Sequence, residues 1–408
     1  MSVTAHKTTA DRSFHNSNSD VPGLLNFDTN LLSIRKCDPI ELFRKPEAPL
    51  YGFADLEMLH RSRLSRCRST PATAEKPPIV PSHAAAHDSM TRDPWLSVIV
   101  PVFNGAKYLA AALDSVLSET DERTEILVSD DGSTDASPDI IAQYSTKGRV
   151  VPLVGPKRQN WVANSNVAVA RSRGKLVTFL HQDDLWLPGR LDSIRNMAEA
   201  HPDRSLWIGP TRFVDSDGRD VGPWNLPFRS STTVVEADTL LEHLLVQNFI
   251  AMPAPVFPRA AFEKAGGMDE ELWFTADWDL WLKLGALAGA GLASEPTTAF
   301  RIHRNSQTIK GASAHASMRT QIDRVRSRYL PKLPASASRD TIERAGRFSC
   351  ELNTFLAALV SHQPVAWQGL LSAFTGLGLQ GCRRFIRDAR FLERTMARLR
   401  VGLKPEGT

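Results

Sequence analysis

The chain has 408 residues, of which 42% are hydrophobic and 23% charged, with a formal net charge of +4. This is an ordinary balance for a soluble globular protein with one large domain or two smaller ones, and too weakly basic to argue for nucleic acid, for which no recognition motif is present. Scattered cysteines (Cys37, Cys67, Cys350, Cys382), no basic-then-apolar leader and no apolar run of about 18 residues lead us to expect a cytoplasmic protein with reduced thiols and no spanning helix.

Residues 1–93 are weakly patterned. Leu50 to Leu64 is expected as a short helix, the Arg61, Arg63, Arg66, Arg68 cluster as a solvated basic segment, and Ser69 to Pro94 as a linker rich in Pro, Ala, Ser and Thr. The pattern changes at Trp95. Leu96 to Val100 reads as a buried strand, followed by the loop Pro101-Val102-Phe103-Asn104-Gly105 and a helix with Leu109, Leu113, Val116 and Leu117 on one face. A strand from Glu125 to Ser129 ends in Asp130-Asp131-Gly132-Ser133-Thr134-Asp135. A helix from Ser137 to Tyr144, a strand from Val150 to Val154, a helix from Val162 to Arg171 and a strand from Leu176 to Leu180 follow. This alternation predicts an α/β fold with a mostly parallel, Rossmann-like central sheet flanked by helices. Ligands in such sheets bind beyond the carboxyl ends of the strands, so Phe103-Asn104, Asp130-Asp131 and Asp183-Asp184 should border one crevice.

Beyond the helix from Leu187 to Ala200 the pattern loosens. Asp215-Ser216-Asp217-Gly218 superficially resembles a calcium loop, but Leu226 stands where the bidentate Glu is needed, so a hairpin turn is expected. Phe249 to Phe257, interrupted by prolines, is expected as an edge strand. A helix starts at Ala276-Asp277-Trp278-Asp279, with Trp278, Trp281 and Leu282 on its buried side and Asp279 as a first-turn charge. Thr298 to Ile302 is the last expected strand, placing Arg301 and His303 on one face. Residues 94–315 therefore form the expected main domain (94–200 the nucleotide half, 201–315 the acceptor and catalytic half), and 316–408 a helical, basic C-terminal extension. From Arg383 to Lys404, Phe385, Ala389, Leu392, Met396, Leu399 and Leu403 make one apolar helical stripe beside arginines. That stripe suits either an anionic membrane surface, giving a peripheral protein, or packing on the domain.

The run Thr178-Phe179-Leu180-His181-Gln182-Asp183-Asp184-Leu185-Trp186 is the most informative. Adjacent carboxylates at a strand end repel unless donors, solvent or a cation offset them, and Mg²⁺ suits one or two carboxylates plus phosphate oxygens. Phe103 suits stacking on a nucleotide base. Ser97 to Asn104, Asp130 to Asp135, Asn166 to Gly174 before the metal motif, and Asp277-Trp278-Asp279-Leu280-Trp281-Leu282 together resemble family 2 glycosyltransferases of the GT-A fold, over about Leu96 to Thr308. The resemblance implies an inverting transferase that moves a sugar from a nucleotide-diphosphate donor, UDP- or dTDP-linked, to a hydroxyl of a glycan or lipid-linked acceptor, as in cell-surface polysaccharide synthesis. It places Pro101, Phe103, Asn104, Asp131 and Asn160 at the nucleotide, with Asp131 against the uracil ring. It makes Asp183 the ligand of Mg²⁺ or Mn²⁺, with His303 as a further ligand, and Asp277 the general base. His181, Asp184 and Arg301 fall at the sugar and diphosphate. His181 departs from the family pattern, standing where the motif has its first acid, and imidazole is a poorer Mg²⁺ ligand than carboxylate. Two other readings stay open: a nucleotide-sugar-binding scaffold whose catalysis has decayed, and a nucleotidyltransferase, which the missing Lys-bearing phosphate loop disfavours. Asp130 to Asp135 and Asp277 also have a plainer reading as turn and helix caps.

Overall fold

Leu96–Val102 (β1) is buried along its whole length, as a strand covered on both faces must be. Leu96, Val98, Val100 and Val102 belong to one core layer and Ile99 to the other, following the period of two. The computed structural model describes residues 93–146, 148–153, 160–303, 315–335, 337–360 and 367–402. The expectations for Leu50 to Leu64, Arg61 to Arg68, Cys37, Cys67, Leu403 and Lys404 lie outside these residues. Among the described residues Cys350 is buried and Cys382 half-buried, both as free thiols, and no helix is long and apolar enough to cross a membrane.

Ala106–Leu117 (α1), Thr124–Asp130 (β2), Ser137–Ser145 (α2), Val150–Leu153 (β3), Trp161–Arg171 (α3), Leu176–Phe179 (β4), Leu185–Trp186 (β5) and Arg190–Ala200 (α4) follow in the expected order. β3, β2, β1 and β4 are parallel neighbours. The large sheet then continues through Val256–Pro258 (β10), Trp207–Ile208 (β6), Ala290–Leu292 (β11) and Val234–Val235 (β9). Both pairings of β10 are antiparallel.

β10 corrects an expectation. It lies between β4 and β6 rather than at an edge. Pro253 and Pro255 precede the paired residues and Pro258 is the last of them, so the ladder between loses few donors. Leu185 also begins a second, four-stranded sheet, in the order β5, Thr298–Arg301 (β12), Thr211–Val214 (β7) and Asp220–Trp224 (β8). The expected hairpin turn at Asp215 to Gly218 joins β7 to β8.

Ala237–Leu244 (α5), Arg259–Lys264 (α6) and Ala276–Ala288 (α7) are the remaining helices before residue 303. Trp278, Trp281 and Leu282 are core, as expected. Asp279 is in the first turn, as expected, and is fully buried, paired with Lys283 (2.8 Å) and Arg328 (2.7 Å) and hydrogen-bonded by the Tyr329 hydroxyl (3.0 Å). Arg328 and Tyr329 end the helix His315–Tyr329 (α8), so this buried acid ties the C-terminal region to α7.

After a 3₁₀ turn, Arg339–Val360 (α9), Trp367–Ala389 (α10) and Phe391–Gly402 (α11) form the helical extension. The single C-terminal stripe expected across Arg383 to Lys404 is therefore broken. Arg390 takes φ +47° between α10 and α11. Phe385 and Ala389 are buried, whereas Leu392, Met396 and Leu399 are exposed.

Candidate active site at the carboxyl ends of the strands

Phe103 follows β1 directly and is 49% exposed, leaving a ring face open to a planar ligand. Its backbone N–H donates to Gln182 Oε1 (2.8 Å), and Gln182 Nε2 donates to its carbonyl (3.1 Å). The loop beyond β1 is thus latched to the residue before Asp183. Gly105 makes room for the latch, since a Cβ there would stand 2.3 Å from Gln182 Oε1. Asn104, at φ +50°, accepts from the Thr134 N–H (2.8 Å), a left-handed turn that Asn tolerates better than most residues.

The acids of Asp130 to Asp135 divide their labour. Asp130 accepts from Ser133, and Asp135 from the backbone N–H groups of Ala106 and Ser137, as turn and helix caps do. Asp131 is buried, and its Oδ2 accepts from the Asn160 N–H (3.0 Å). Of the other residues expected at the nucleotide, Pro101 is buried within β1. Asn160 uses its side chain as the N-cap of α3, accepting from Val162 N–H and donating to the Glu270 carbonyl (3.1 Å). Asn160 is thus committed to capping α3.

His181, Asp183 and Asp184 lie between β4 and β5 and each offers one ligand atom within 4.8 Å of the others. Two of their buried atoms have no hydrogen-bond partner, His181 Nε2 and Asp184 Oδ2. Two such atoms on one turn, an imidazole nitrogen and a carboxylate oxygen, are open to a ligand. Burial holds the His181 pKa below its ordinary value against the charge of Asp183, favouring neutral imidazole with a lone pair to give. Burial, and then the charge of Asp183, push Asp184 well above the carboxylate range. Burial would also raise Asp183, but the hydrogen bond from His303 and the two imidazoles hold it below. A divalent cation fits this donor set, supplying the charge that two adjacent buried carboxylates lack.

Arg301 ends β12, and His303 follows two residues later. The antiparallel register of β12 pairs Ala299 with Leu185, which brings the end of the strand beside the acids. His303 Nε2 is 2.9 Å from Asp183 Oδ2, so in this structure it contacts the carboxylate itself. Arg301, expected at the diphosphate, is buried and committed to the backbone. Its Nε donates to the Asp183 carbonyl (2.8 Å) and its Nη1 to the Asp215 carbonyl (2.8 Å), while its own N–H donates to Asp184 Oδ1 (3.0 Å). It braces the acidic turn. Tyr108 packs against both residues, 4.7 Å from the guanidinium and 4.9 Å from the imidazole.

Asp277 sits in the first turn of α7. Burial pushes its pKa up to about 6, against the hydrogen bonds from the Trp278 N–H and Asn248 Nδ2 (2.9 Å). Such a carboxylate is ionised near neutrality yet more basic than an ordinary one, as a general base should be.

Trp161 joins the two halves. Its ring packs edge-on against His181 with centroids 5.3 Å apart, and its Nε1 donates to the Trp273 carbonyl (2.8 Å), four residues before Asp277. The neighbouring Asn160 binds Asp131. Asp131, the His181 to Asp184 turn and the segment leading to Asp277 are thus bound around the start of α3. Sequence reading did not single out Trp161, Tyr108, Gln182 or Asn248. Gln182 was signalled by its place inside the acidic motif, but Asn248 joins Asp277 across 29 residues with no local pattern.

Comparison with known proteins agrees with this geometry. The profile of Glycosyl transferase family 2 matches residues 97–252. An uncharacterized glycosyltransferase of Nostoc sp. is 38% identical over 228 residues, 54% of this chain and 68% of that protein. Another, from Rickettsia prowazekii, is 27% identical over 220 residues, 53% of this chain and 66% of that one. Among solved structures, residues 1–349 of S. aureus TarS in complex with UDP-GlcNAc superpose with a TM-score of 0.52 at 17% identity, covering 75% of this chain and 89% of that one.

Proposed function

The chain belongs to glycosyl transferase family 2, and from that premise we propose that it transfers a sugar with inversion from a nucleotide-diphosphate donor, UDP- or dTDP-linked, to a hydroxyl of a glycan or lipid-linked acceptor. Cell-surface polysaccharide synthesis is the setting such an acceptor suggests. The observation that carries the reading is the convergence of Asp131, the His181 to Asp184 turn and the Asp277 segment around Trp161.

The nucleotide base stacks on Phe103 while Asp131 accepts from its N–H. Asp277 removes the proton of the acceptor hydroxyl as that oxygen bonds to the sugar C1 on the face opposite the diphosphate. The bond from C1 to the phosphate oxygen breaks with its electron pair, and the nucleoside diphosphate leaves. Asp183, with His181 and Asp184 beside it and His303 in contact with it, would hold a Mg²⁺ or Mn²⁺ ion. When bound, such an ion supplies positive charge to a diphosphate leaving group. Gln182 positions the base-stacking loop relative to that turn, and Arg301 and Tyr108 hold the turn rigid.

The test is a screen of nucleotide sugars against purified full-length protein, read by product mass with and without Mn²⁺. Formation of a nucleoside diphosphate and a sugar-bearing product of inverted anomeric configuration is expected. A retained configuration would overturn the inverting mechanism, and turnover undiminished in Asp277→Asn would remove that residue as the base.

A further inference from the structure

Ten large hydrophobic side chains are exposed among the described residues, and eight of them lie on α10 and α11. They are ordered. Trp367, Leu371 and Phe374 follow one another at spacings of four and three, and so do Leu392, Met396 and Leu399. Between them, past Gly378, where φ is +64° and the helix path breaks, Leu379 and Ile386 flank the exposed Arg383 at the same spacings. The opposite faces are occupied. Ala373, Leu377, Phe385 and Ala389 are buried on α10, and Ala397 of α11 packs with Phe213, Val221 and Ile302 on the second sheet. Large apolar side chains exposed in ordered rows along two successive helices point to an interaction site.

Charge selects the partner. The described residues of α10 and α11 hold two acids, and both are neutralised. Asp388 is fully buried and accepts from Arg384 Nε (2.6 Å) and Arg387 Nε (2.5 Å). Glu393 accepts from the Asn225 N–H (2.9 Å) and pairs with Arg390 (2.6 Å). The exposed charges are Arg383, Arg387, Arg398 and Arg400, all positive. A second copy would bring the same cations against themselves. Residues 1–92 hold twelve Lys and Arg against ten Asp and Glu, so they bring no acidic complement. An apolar face rimmed by arginine matches an anionic bilayer, where acyl chains take the apolar side chains and headgroups the guanidinium groups.

We propose that the outward faces of α10 and α11 dock the protein on the surface of an anionic lipid bilayer. The helices lie on the bilayer rather than span it, since none is long and apolar enough to cross. α11 packs on the sheet that carries Arg301, the brace of the acidic turn, so docking orients the site relative to the lipid surface. This inference stands on surface chemistry and does not depend on the catalytic reading.

Full-length protein is sedimented with phosphatidylcholine vesicles and with vesicles of equal parts phosphatidylcholine and phosphatidylglycerol. Binding to the anionic vesicles alone, weakened by salt, is expected, each arginine raising partitioning roughly fivefold. The double variant Leu392→Glu, Met396→Glu should bind at least about tenfold more weakly, a loss of the order expected for removing two buried apolar side chains. Leu287→Glu, an exposed apolar position on α7, should bind as the parent does. Circular dichroism and nucleotide-sugar turnover on the same preparations separate lost docking from lost folding or lost catalysis. No sedimentation with anionic vesicles, equal binding to both kinds, or a dimer in velocity sedimentation that the double variant abolishes would each overturn the proposal.

Discussion

Glu125 and Asp184 are both buried carboxylates of the central α/β layer, 3% and 1% exposed, at opposite ends of the sheet. Glu125, near the amino end of β2, is saturated. One oxygen accepts from Ser97 Oγ (2.6 Å) and from the N–H groups of Arg173 (2.6 Å) and Gly174 (3.2 Å), and the other accepts from Arg173 Nε (3.2 Å). Asp184, beyond the carboxyl end of β4, has one oxygen on the Arg301 N–H and the other without a partner among the described residues. The first acid brings its donors with it and serves as a staple. The second leaves an opening for a ligand. Concavity is a poorer guide than this difference: a surface cavity of about 240 Å³ at the amino end is lined by Trp95, Asp121 and Arg195, whose polar atoms already satisfy one another.

Asp277→Asn should produce the largest effect, and of two signs. Transfer should fall by about 10²–10⁴-fold, the range for loss of a general base, with donor affinity unchanged by titration. Because the carboxyl is raised to about 6 in the folded state, the native protein binds that proton more tightly than the unfolded chain does. Stability therefore declines as pH rises from about 4 to about 6, by about 3 kcal/mol from this group. The amide escapes that penalty, so the variant should melt several degrees above the parent at pH 8 and match it at pH 4. The parent's kcat/KM should rise through pH 6 as the base ionises.

The same acid-to-amide change at the other end of the sheet should go the other way. Glu125→Gln directs an amide NH₂ at donors that had an acceptor, and leaving buried donors unsatisfied costs about 1–3 kcal/mol. Its melting temperature should fall while donor and metal affinity stay unchanged. Asp184→Asn, at the open end, should instead raise the melting temperature at neutral pH, since burial and Asp183 already disfavour its charge. It should also weaken Mn²⁺ binding measured by calorimetry. A destabilised Asp184→Asn or a neutral Glu125→Gln would break the contrast between the two ends.

The placement of the acidic motifs at the carboxyl ends of the strands was legible because they are written in short runs. The alternation up to Leu180 follows from side-chain periods of two and 3.6, and the acids of the motifs fall where strands end. What failed was tertiary. Asp279 read correctly as a first-turn charge, but its burial and its pairing with Arg328, 49 residues away, had no local signal. β10 read as an edge because prolines crowd it, although they fall at or outside the ends of the paired segment. The C-terminal stripe read as continuous because a helical period persists across Arg390. The buried seats of Phe385 and Ala397, in different core clusters, explain why the chain turns there. Arg301 also bonds the carbonyls of Asp183 and Asp215, backbone partners that no sequence pattern announces.

The smallest effect belongs to Asp121 beside that cavity. It accepts from Trp95 Nε1, Thr124 Oγ1 (2.8 Å) and Arg195 Nη2 (2.5 Å), a denser set of bonds than Asp184 has. Yet its side chain is 30% exposed and that of Arg195 40%. Water can replace each partner, and exposed pairs contribute about 0.2–1 kcal/mol. Asp121→Asn should therefore lower stability by under about 1 kcal/mol in urea denaturation and leave transfer untouched. A loss as large as that of Glu125→Gln would mean that the number of bonds, rather than burial, sets the strength of these acids as staples, and would remove burial as the property that separates a brace from an opening.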